Sequence, residues 1–513
     1  MSRLPLMALA MLPLAVHADV TLAPLFTDHA VLQQDITVPI WGHAAPGEKV
    51  TVTFRNQTAQ TTADGTGRWT VRLDSLSPGA PAPLVVSGSN TIRIEDVVVG
   101  EVWVCSGQSN MEFRVWGPPG DVYRVVNADA EVASGNYPLI RHFKVAQAVA
   151  ATPAETVRGS WVVCSPETVG SFTAVGYFFA REISAKLGVP VGIINSTWGG
   201  TAIESWMSDE ALKSDPAFAV VDKRWAEAMV GWQDKVTAYK AAVAAQEKDE
   251  AVAKAAGPER LAAFLRDKQW LPPPPSPESP DAPRSLFNGM IRPLVPYAIA
   301  GVLWYQGEAN GSKPGEYRAL FEAMIKSWRA AWDEGNFPFL WVQLANWKTD
   351  DPTHLQWALL REAQAKALGL PRTGMAVAID VGNVANIHPR NKQEVGRRLA
   401  LVAGHVAYYD YSNPWCGPQF EFAERAGREM RVSMDPAGGS LVVQGGELTD
   451  FEVAGADQIF YPASARIAGK TIVVSSPDVP LPIAVRYAWK DAPNASLFNS
   501  AGLPAAPFRS DHW

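Results

Sequence analysis

Between residues 98 and 410, short apolar runs alternate with amphipathic stretches, and this alternation restricts the fold more than any other feature. Apolar runs lie at 97–104, 139–145, 189–195, 299–305, 337–344 and 374–380. Helical periodicity lies at 175–187, 316–332, 355–368 and 392–408. Fully apolar strands that alternate with helices are typical of a parallel sheet covered by helices on both faces. The sequence therefore predicts an α/β domain over 98–410.

The segments on either side of this domain are predicted to be β-rich. Residues 19–97 contain short runs of β-forming residues separated by Gly, Pro and Asp, which is the pattern of a small β-sandwich. Residues 411–513 return to short strands and predict a second β-domain. An insertion at about 209–285 combines a helical stretch with a stiff, proline-rich segment. Several domains are expected in a chain of 513 residues.

Residues 1–18 have the features of a signal peptide. Arg3 precedes an uncharged apolar run, and Ala18 ends a small-residue cleavage site. This run is too short to span a bilayer comfortably. We therefore expect a protein that is exported to the periplasm or secreted and that has no membrane partner.

The charge and the cysteine content of the chain argue against a nucleic-acid-binding protein and against a metal site. The formal net charge is -7, with no basic stripe, which disfavours nucleic acid as a partner. The three cysteines leave at least one thiol unpaired, and a disulfide between Cys105 and Cys164 is one alternative. The chain has no Cys-x-x-Cys pair and its histidines are scattered, so no metal and no cofactor are expected. The sequence gives no indication of the oligomeric state.

Four polar clusters follow the ends of predicted strands. They are GQSN at 107–110, NSTWGGT at 195–201, QGEAN at 306–310, and Asp380 with the later His388. Ligands of parallel α/β sheets bind beyond the carboxyl ends of the strands, so these clusters are expected to meet at one edge. Their convergence predicts an active site.

The residues in these clusters suit acyl transfer. A serine hydroxyl needs a base, and we assign Ser109 as the nucleophile and His388 as the base. The amides of Ser109 and Gly200 and the side chain of Asn310 are candidate oxyanion donors. Each feature has a plainer interpretation: a helix cap for the serine, a loop residue for the histidine, and turns for the others. Only their joint placement favours catalysis.

Three motifs carry a resemblance to a known family. The stretches GEVWVCSGQSNM at 100–111, WYQGEAN at 304–310 and IHPRNK at 387–392 resemble those of the sialate O-acetylesterase family, a group of SGNH-type carbohydrate esterases. The resemblance implies a three-layer α/β/α domain with a parallel sheet and flanking β-domains. It also implies catalysis by Ser109 and His388, with oxyanion support from the 199–200 turn and Asn310, and no metal. We assign Gln108 and Trp198 as substrate-binding residues.

The acid that would orient the histidine is not at its usual place. SGNH hydrolases usually have Asp three residues before the histidine, where this chain has Ala385. Glu308, Asp380 or a backbone carbonyl are the alternatives, the last of which would give a Ser-His dyad.

The predicted activity is hydrolysis of acetyl esters on a carbohydrate. The substrate is either acetylated sialic acid, for which Arg114 and Arg390 are candidate carboxylate ligands, or acetylated hemicellulose such as xylan or xyloglucan. Trp116, Trp198 and Trp347 are candidate stacking platforms for hemicellulose. A non-catalytic carbohydrate-binding protein and an N-acetyl deacetylase are the competing functions.

Overall fold

The structure is a computed structural model that describes residues 19–118, 123–269 and 271–513. The predicted signal peptide, 1–18, lies outside the described residues. The strands that precede the serine are β1 (Thr21–Leu22), β2 (Val31–Gln33), β3 (Val38–His43), β4 (Lys49–Phe54), β5 (Gln57–Thr62), β6 (Arg68–Leu73), β7 (Ala82–Ser87) and β8 (Thr91–Gly107).

The long strand β8 crosses the predicted domain boundary at 97/98. Its first part pairs antiparallel with β7, and its last part lies between two later strands of the central sheet. Burial alternates along its first six residues and is continuous from Val97 onward, so one strand carries both a half-exposed and a fully buried pattern. The N-terminal strands β2, β4, β5 and β7 are therefore continuous with the central sheet, whereas β1, β3 and β6 form a separate sheet.

The central region alternates strands and helices. Its elements are α1 (Ser109–Glu112), α2 (Ala128–Ala133), β9 (Tyr137–Lys144), β10 (Trp161–Cys164), α3 (Ala174–Leu187), β11 (Val191–Thr197), α4 (Asp209–Lys213), α5 (Ala219–Ala228), α6 (Trp232–Ala255), α7 (Pro258–Asp267), β12 (Gly301–Tyr305), α8 (Pro314–Trp332), β13 (Phe339–Val342), α9 (Gln356–Lys366), β14 (Thr373–Ala376) and α10 (Lys392–Val406). The sheet order is β10-β9-β11-β8-β12-β13-β14. All neighbours from β9 to β14 pair parallel, and β10 is an antiparallel edge strand that the sequence does not predict.

Helices cover the two faces of this sheet. Trp304 of β12 pairs in register with Ser106 of β8, three residues along from Trp103, so the two tryptophans point to opposite faces. Trp103 packs against Phe179 of α3 at 5.0 Å between ring centroids. Trp304 packs against Trp328 of α8 at 5.9 Å. The chain is thus a mixed α/β protein whose apolar strand residues are buried on each side.

The insertion is helical over α4 to α7, and the region after α10 is all strand. The strands are β15 (Gln419–Ala426), β16 (Glu429–Asp435), β17 (Leu441–Val443), β18 (Phe451–Ala454), β19 (Phe460–Ala468), β20 (Thr471–Ser475), β21 (Ala484–Tyr487), β22 (Leu497–Asn499) and β23 (Phe508–Arg509). They form a seven-stranded sheet and a separate pair, β17–β22. Arg509 of β23 donates to Glu362 of α9 at 2.9 Å, which ties this sheet to the central region. None of the helices in the described residues is both long enough and apolar enough to cross a membrane.

Candidate active site

The serine of the CSGQSNM motif stands at the carboxyl end of β8. Gly107 ends this strand with a φ of +128°, and a Cβ there would lie 2.2 Å from the carbonyl oxygen of Tyr305. Only glycine fits this position, from which the chain leads directly into α1. Ser109 is the first residue of α1, so its amide has no acceptor inside the helix. The hydroxyl and the amide of Ser109 are therefore presented together at the sheet edge.

His388 lies in the segment between β14 and α10, and its ring reaches the serine. Its Nε2 atom lies 2.8 Å from Ser109 Oγ, and its own amide donates to Asn386 Oδ1 at 2.8 Å. The Tyr123 ring packs against the imidazole at 5.4 Å between centroids. Burial, and then the nearby charge of Lys392, lower the pKa of His388 to about 4. The imidazole is therefore neutral at pH 7 and can accept the proton of the serine.

The turn after β11 contains two glycines, and the first of them, Gly199, contacts the serine. A Cβ on Gly199 would lie 3.3 Å from Ser109 Cβ, so this turn is in contact with the serine. Glu112 anchors the turn, because its Oε2 accepts a hydrogen bond from the Gly199 amide at 2.7 Å. Gly200 has a φ of +78°, and within the described residues its amide donates to no acceptor. Its role as an oxyanion donor stays a prediction that this geometry permits.

Asn310, which the sequence predicts as an oxyanion donor, is held by several hydrogen bonds inside the protein, and its role at the oxyanion stays a prediction. The residue is 1% exposed, and its Nδ2 donates to Glu204 Oε2 at 2.8 Å. Its Oδ1 accepts hydrogen bonds from the Ile203 amide at 2.9 Å and from Gln306 Nε2 at 2.7 Å. The side chain therefore joins two turns inside the protein, where buried polar groups need such partners.

Neither carboxylate that the sequence offers as the orienting acid bonds to His388. Glu308 Oε1 accepts from Asn110 Nδ2 at 2.5 Å. Asp380 is paired with Arg398, whose planar guanidinium donates to its two oxygens at 2.5 and 2.6 Å. Among the described residues no carboxylate forms a hydrogen bond with His388. This arrangement is the one that the third alternative, a Ser-His dyad, requires.

The two residues assigned to substrate binding differ in their surroundings. Gln108 is 3% exposed, and its Oε1 accepts from the amides of Gly307 and Ala309 at 3.4 and 3.2 Å. Gln108 therefore joins the serine turn to the neighbouring turn through its Oε1, and contact with substrate stays a prediction for it. Trp198 is half-buried next to Gly199, and contact with substrate stays a prediction for it.

A cavity of about 360 Å³ lies next to the helix that carries Ser109. It is lined by Glu112, Arg114, Tyr123, Lys144, Ser171 and Asn195. Glu112 belongs to the helix that carries Ser109, and Tyr123 packs on His388, so the cavity adjoins the pair. A larger cavity of about 930 Å³ is lined by Glu101 and Ala300, near the opposite ends of the central strands. The smaller cavity is the one at the carboxyl edge, where ligands of such sheets bind.

The cysteines and possible metal ligands play no evident part at this edge. All three cysteines are free thiols, so the Cys105–Cys164 disulfide weighed from the sequence does not form. Burial raises the pKa of Cys164 to about 11, which keeps this thiol protonated at neutral pH. Over residues 19–118, 123–269 and 271–513, no group of three or more His, Cys, Asp or Glu side chains could hold a metal ion.

Two charged residues near the Ser109–His388 pair are not predicted as site residues from the sequence. Glu112 lies three residues after Ser109, one helical turn on, and this spacing is the only signal for it. Lys392 is fully buried, and its Nζ donates to Asn110 Oδ1 at 2.5 Å. The signal for Lys392 is its position on the apolar face of α10, at helical spacing from Val395 and Leu399. A lysine on a buried helix face needs a specific partner.

A serine hydrogen-bonded to a histidine at the carboxyl edge of a parallel sheet defines an α/β protein of the serine-hydrolase class. Residues 268–403 match the family described as carbohydrate esterase, sialic acid-specific acetylesterase. A carbohydrate acetylesterase from Xanthomonas citri is 39% identical, with a TM-score of 0.80, and the match covers 96% of this chain and 100% of that one. The chain therefore belongs to the sialate O-acetylesterase family of carbohydrate esterases.

Mammalian relatives are similar over nearly the whole length. The sialate O-acetylesterase of Rattus norvegicus is 29% identical over 532 residues, which cover 94% of this chain and 92% of the rat protein. That of Mus musculus is 28% identical over 533 residues, with the same coverage of the two chains. The similarity extends over the N-terminal and C-terminal β-rich regions as well as the central sheet.

Proposed function

We propose that this protein is a carbohydrate O-acetylesterase that works through an acetyl-enzyme formed on Ser109, with His388 as general base and acid. The observation that carries the proposal is the 2.8 Å contact between Ser109 Oγ and His388 Nε2. Family membership supports an acetylated carbohydrate as the substrate. No metal, cofactor or nucleic acid enters this proposal.

The reaction proceeds in two balanced halves. Ser109 Oγ attacks the acetyl carbonyl carbon while its proton passes to His388 Nε2, and the amides of Ser109 and Gly200 donate to the oxyanion. The sugar oxygen leaves with the proton from His388, and the acetyl group stays on Ser109. Water then attacks the acetyl-enzyme, again losing a proton to His388, and acetate departs as the serine regains its proton. Ester and water become sugar alcohol and acetic acid.

A dyad fits the surroundings of the histidine better than a triad. The hydrogen bonds of Glu308 and Asp380 go to Asn110 and Arg398, so neither carboxylate is placed to receive the second ring proton. Ester hydrolysis makes a smaller demand on the base than amide hydrolysis, because an alkoxide is a better leaving group than an amine anion. A neutral histidine without an acid partner is adequate for this chemistry.

We propose an SGNH-type three-layer fold for the central region and β-sandwich packing for the flanking regions. The parallel sheet with helices on each face supports the first, and the sheets at either end of the chain support the second. The apolar N-terminal run supports export to the periplasm or secretion.

The test is acetate release from a substrate panel by the full mature chain. The panel holds 9-O-acetyl sialic acid, acetyl-xylan, acetyl-xyloglucan and an N-acetyl sugar, with His388→Asn as the inactive reference. The proposal expects acetate from at least one O-acetyl ester, none from the N-acetyl sugar, and a loss of about 10³-fold or more in the variant. Binding of an O-acetyl sugar without acetate release would instead identify a carbohydrate-binding protein, and release from the N-acetyl sugar would identify a deacetylase.

A further inference from the structure

The side chain of Asn110 connects the serine to the histidine through a route separate from their direct contact. Asn110 follows Ser109 in α1, and its Nδ2 donates to the carbonyl oxygen of Ile387 at 3.0 Å. Ile387 immediately precedes His388. One hydrogen bond thus joins the neighbour of the nucleophile to the neighbour of the base.

Two buried charges hold this amide in one orientation. Glu308 Oε1 accepts from Asn110 Nδ2 at 2.5 Å, and Lys392 Nζ donates to Asn110 Oδ1 at 2.5 Å. Burial raises the pKa of Glu308 and lowers that of Lys392 to about 7, while the charge of Glu308 favours the protonated lysine. With this pair charged, the carboxylate only accepts and the ammonium only donates. A flipped amide would then place its oxygen against Glu308 and its NH2 group against Lys392. The orientation that satisfies these two charges is also the one that bonds to Ile387.

The two charged groups lie among buried and half-buried side chains. Lys392 is fully buried at the first position of α10, which is capped by the Asn391 side chain. Its Nζ lies 4.8 Å from the centroid of the Phe113 ring and 5.1 Å from that of Tyr305. The second oxygen of Glu308 is buried, with no hydrogen-bond partner among the described residues. Hydrogen bonds to charged partners are strengthened where the local dielectric constant is low, which favours a fixed geometry.

We propose that Glu308 and Lys392 are positioning residues for ester hydrolysis, which act by fixing the amide of Asn110 so that its bond to Ile387 keeps His388 within hydrogen-bond distance of Ser109. The inference rests on the proposed function. In this inference, Glu308 of the QGEAN segment and Lys392 of the IHPRNK motif both orient Asn110. Neither residue needs to touch the substrate. Glu308, one of the two carboxylates considered as the orienting acid, here acts through the Asn110 amide and not on the imidazole.

The same network sets the electrostatic environment of the base. Among the residues that the structure describes, Lys392 and Tyr123 are the titratable groups that face His388, and Glu308 and Tyr305 face Lys392. Lys392 is one of the causes that lower the pKa of His388, the larger being burial. A neutral residue at 392 therefore raises the pKa of the base, which a purely structural loss elsewhere would leave unchanged.

The experiment compares Glu308→Gln, Lys392→Met and the double variant with the wild-type enzyme. The readouts are kcat and KM for acetate release, the pH dependence of kcat/KM, and the NMR titration of the His388 ring. Glu101→Gln is the matched control, because Glu101 is a buried carboxylate in the same strand that leads to Ser109 but lies near its other end. Unfolding midpoints show which variants remain folded at the assay temperature.

The inference expects kcat to fall about 10-fold to 100-fold in each single variant while KM changes by less than about threefold. Lys392→Met also moves the acidic limb of the pH profile, and the NMR titration of His388, to higher pH. The fold-loss of kcat in the double variant is smaller than the product of the two single fold-losses, because the two residues act on one amide. The control keeps wild-type kcat.

Wild-type kcat and an unmoved His388 titration in folded Glu308→Gln and Lys392→Met would overturn the inference. If these variants fail to fold, Asn110→Asp provides the second test, because it keeps the size of the side chain but cannot donate to Ile387. A wild-type protein that releases no acetate would refute the proposed function, whereas the NMR titration would still decide whether Lys392 controls His388.

Discussion

Glu112 accepts a hydrogen bond from the amide of Gly199 at 2.7 Å, and so the helix that carries the nucleophile also holds the neighbouring glycine turn. Glu112→Ala removes this anchor. We expect kcat to fall about 10-fold to 100-fold, because the turn that presents the Gly200 amide loses its fixed position. Steady-state acetate release provides the measurement, with Glu362→Ala as a control, since that glutamate is similarly buried and pairs with Arg509 far from the serine. Equal losses in the two variants would contradict this role for Glu112.

Gly200 lies in the left-handed region, where a side chain is strained. Gly200→Ala introduces no clash, because nothing lies within 4 Å of the added Cβ, so the change acts on the backbone alone. We expect about 1 kcal/mol of destabilisation and about a tenfold fall in kcat as the amide turns away from the oxyanion. Gly188→Ala is the matched control, with a φ of +69° and an equally open site before β11. It should lose similar stability and keep its kcat.

The pH dependence follows from the neutral histidine. Only the unprotonated imidazole accepts the serine proton, and its pKa is lowered to about 4. We expect kcat/KM to be level from about pH 7 down to about pH 5 and to fall about tenfold per pH unit below about pH 4. A profile measured over this range in a constant-ionic-strength buffer provides the check. An acidic limb near the ordinary pKa of histidine would contradict a buried, Lys392-facing base.

Asp380 is expected to matter for stability and not for the reaction. Its pairing with Arg398 is largely buried, at 16% and 5% side-chain exposure, so Asp380→Asn leaves the arginine incompletely paired. We expect about 2–4 kcal/mol less stability and a kcat within about threefold of wild type. Urea unfolding and acetate release at a temperature below the transition give the two values. A loss near 10⁴-fold, which an orienting aspartate supports in serine proteases, would show that Asp380 is the missing acid.

The sequence predicts correctly that the polar clusters meet at the carboxyl edge of the sheet. Apolar runs indicate the buried parallel strands, and the carboxyl ends of parallel strands all lie at one edge. Ser109 and His388, 279 positions apart, meet because strands β8 and β14 end on the same edge. The continuity of β8 across 97/98 was not predictable in the same way. Its first part alternates in burial and the rest is continuously buried. In the sequence, this one strand therefore has the pattern of two strands that belong to different domains.

The roles of the amides and carboxylates depend on partners that no local pattern reveals. Asn310 donates to Glu204, 106 positions away, a partner that the sequence around Asn310 does not indicate. Glu308 faces Asn110, 198 positions away, and its neighbours in sequence contain no sign of that amide. Such pairings depend on the direction in which each side chain points at the end of its strand. The sequence shows which residue lies there but not where its side chain points.

The central claim is that Ser109 is the nucleophile, and acetate release by Ser109→Ala tests it most directly. The variant removes only a hydroxyl, so the unfolding midpoint should stay close to that of the wild-type protein. We predict that kcat/KM for an O-acetylated sugar falls by about 10⁴-fold or more at pH 7 in this variant. Retention of acetate release within about tenfold of wild type by the folded variant would contradict it.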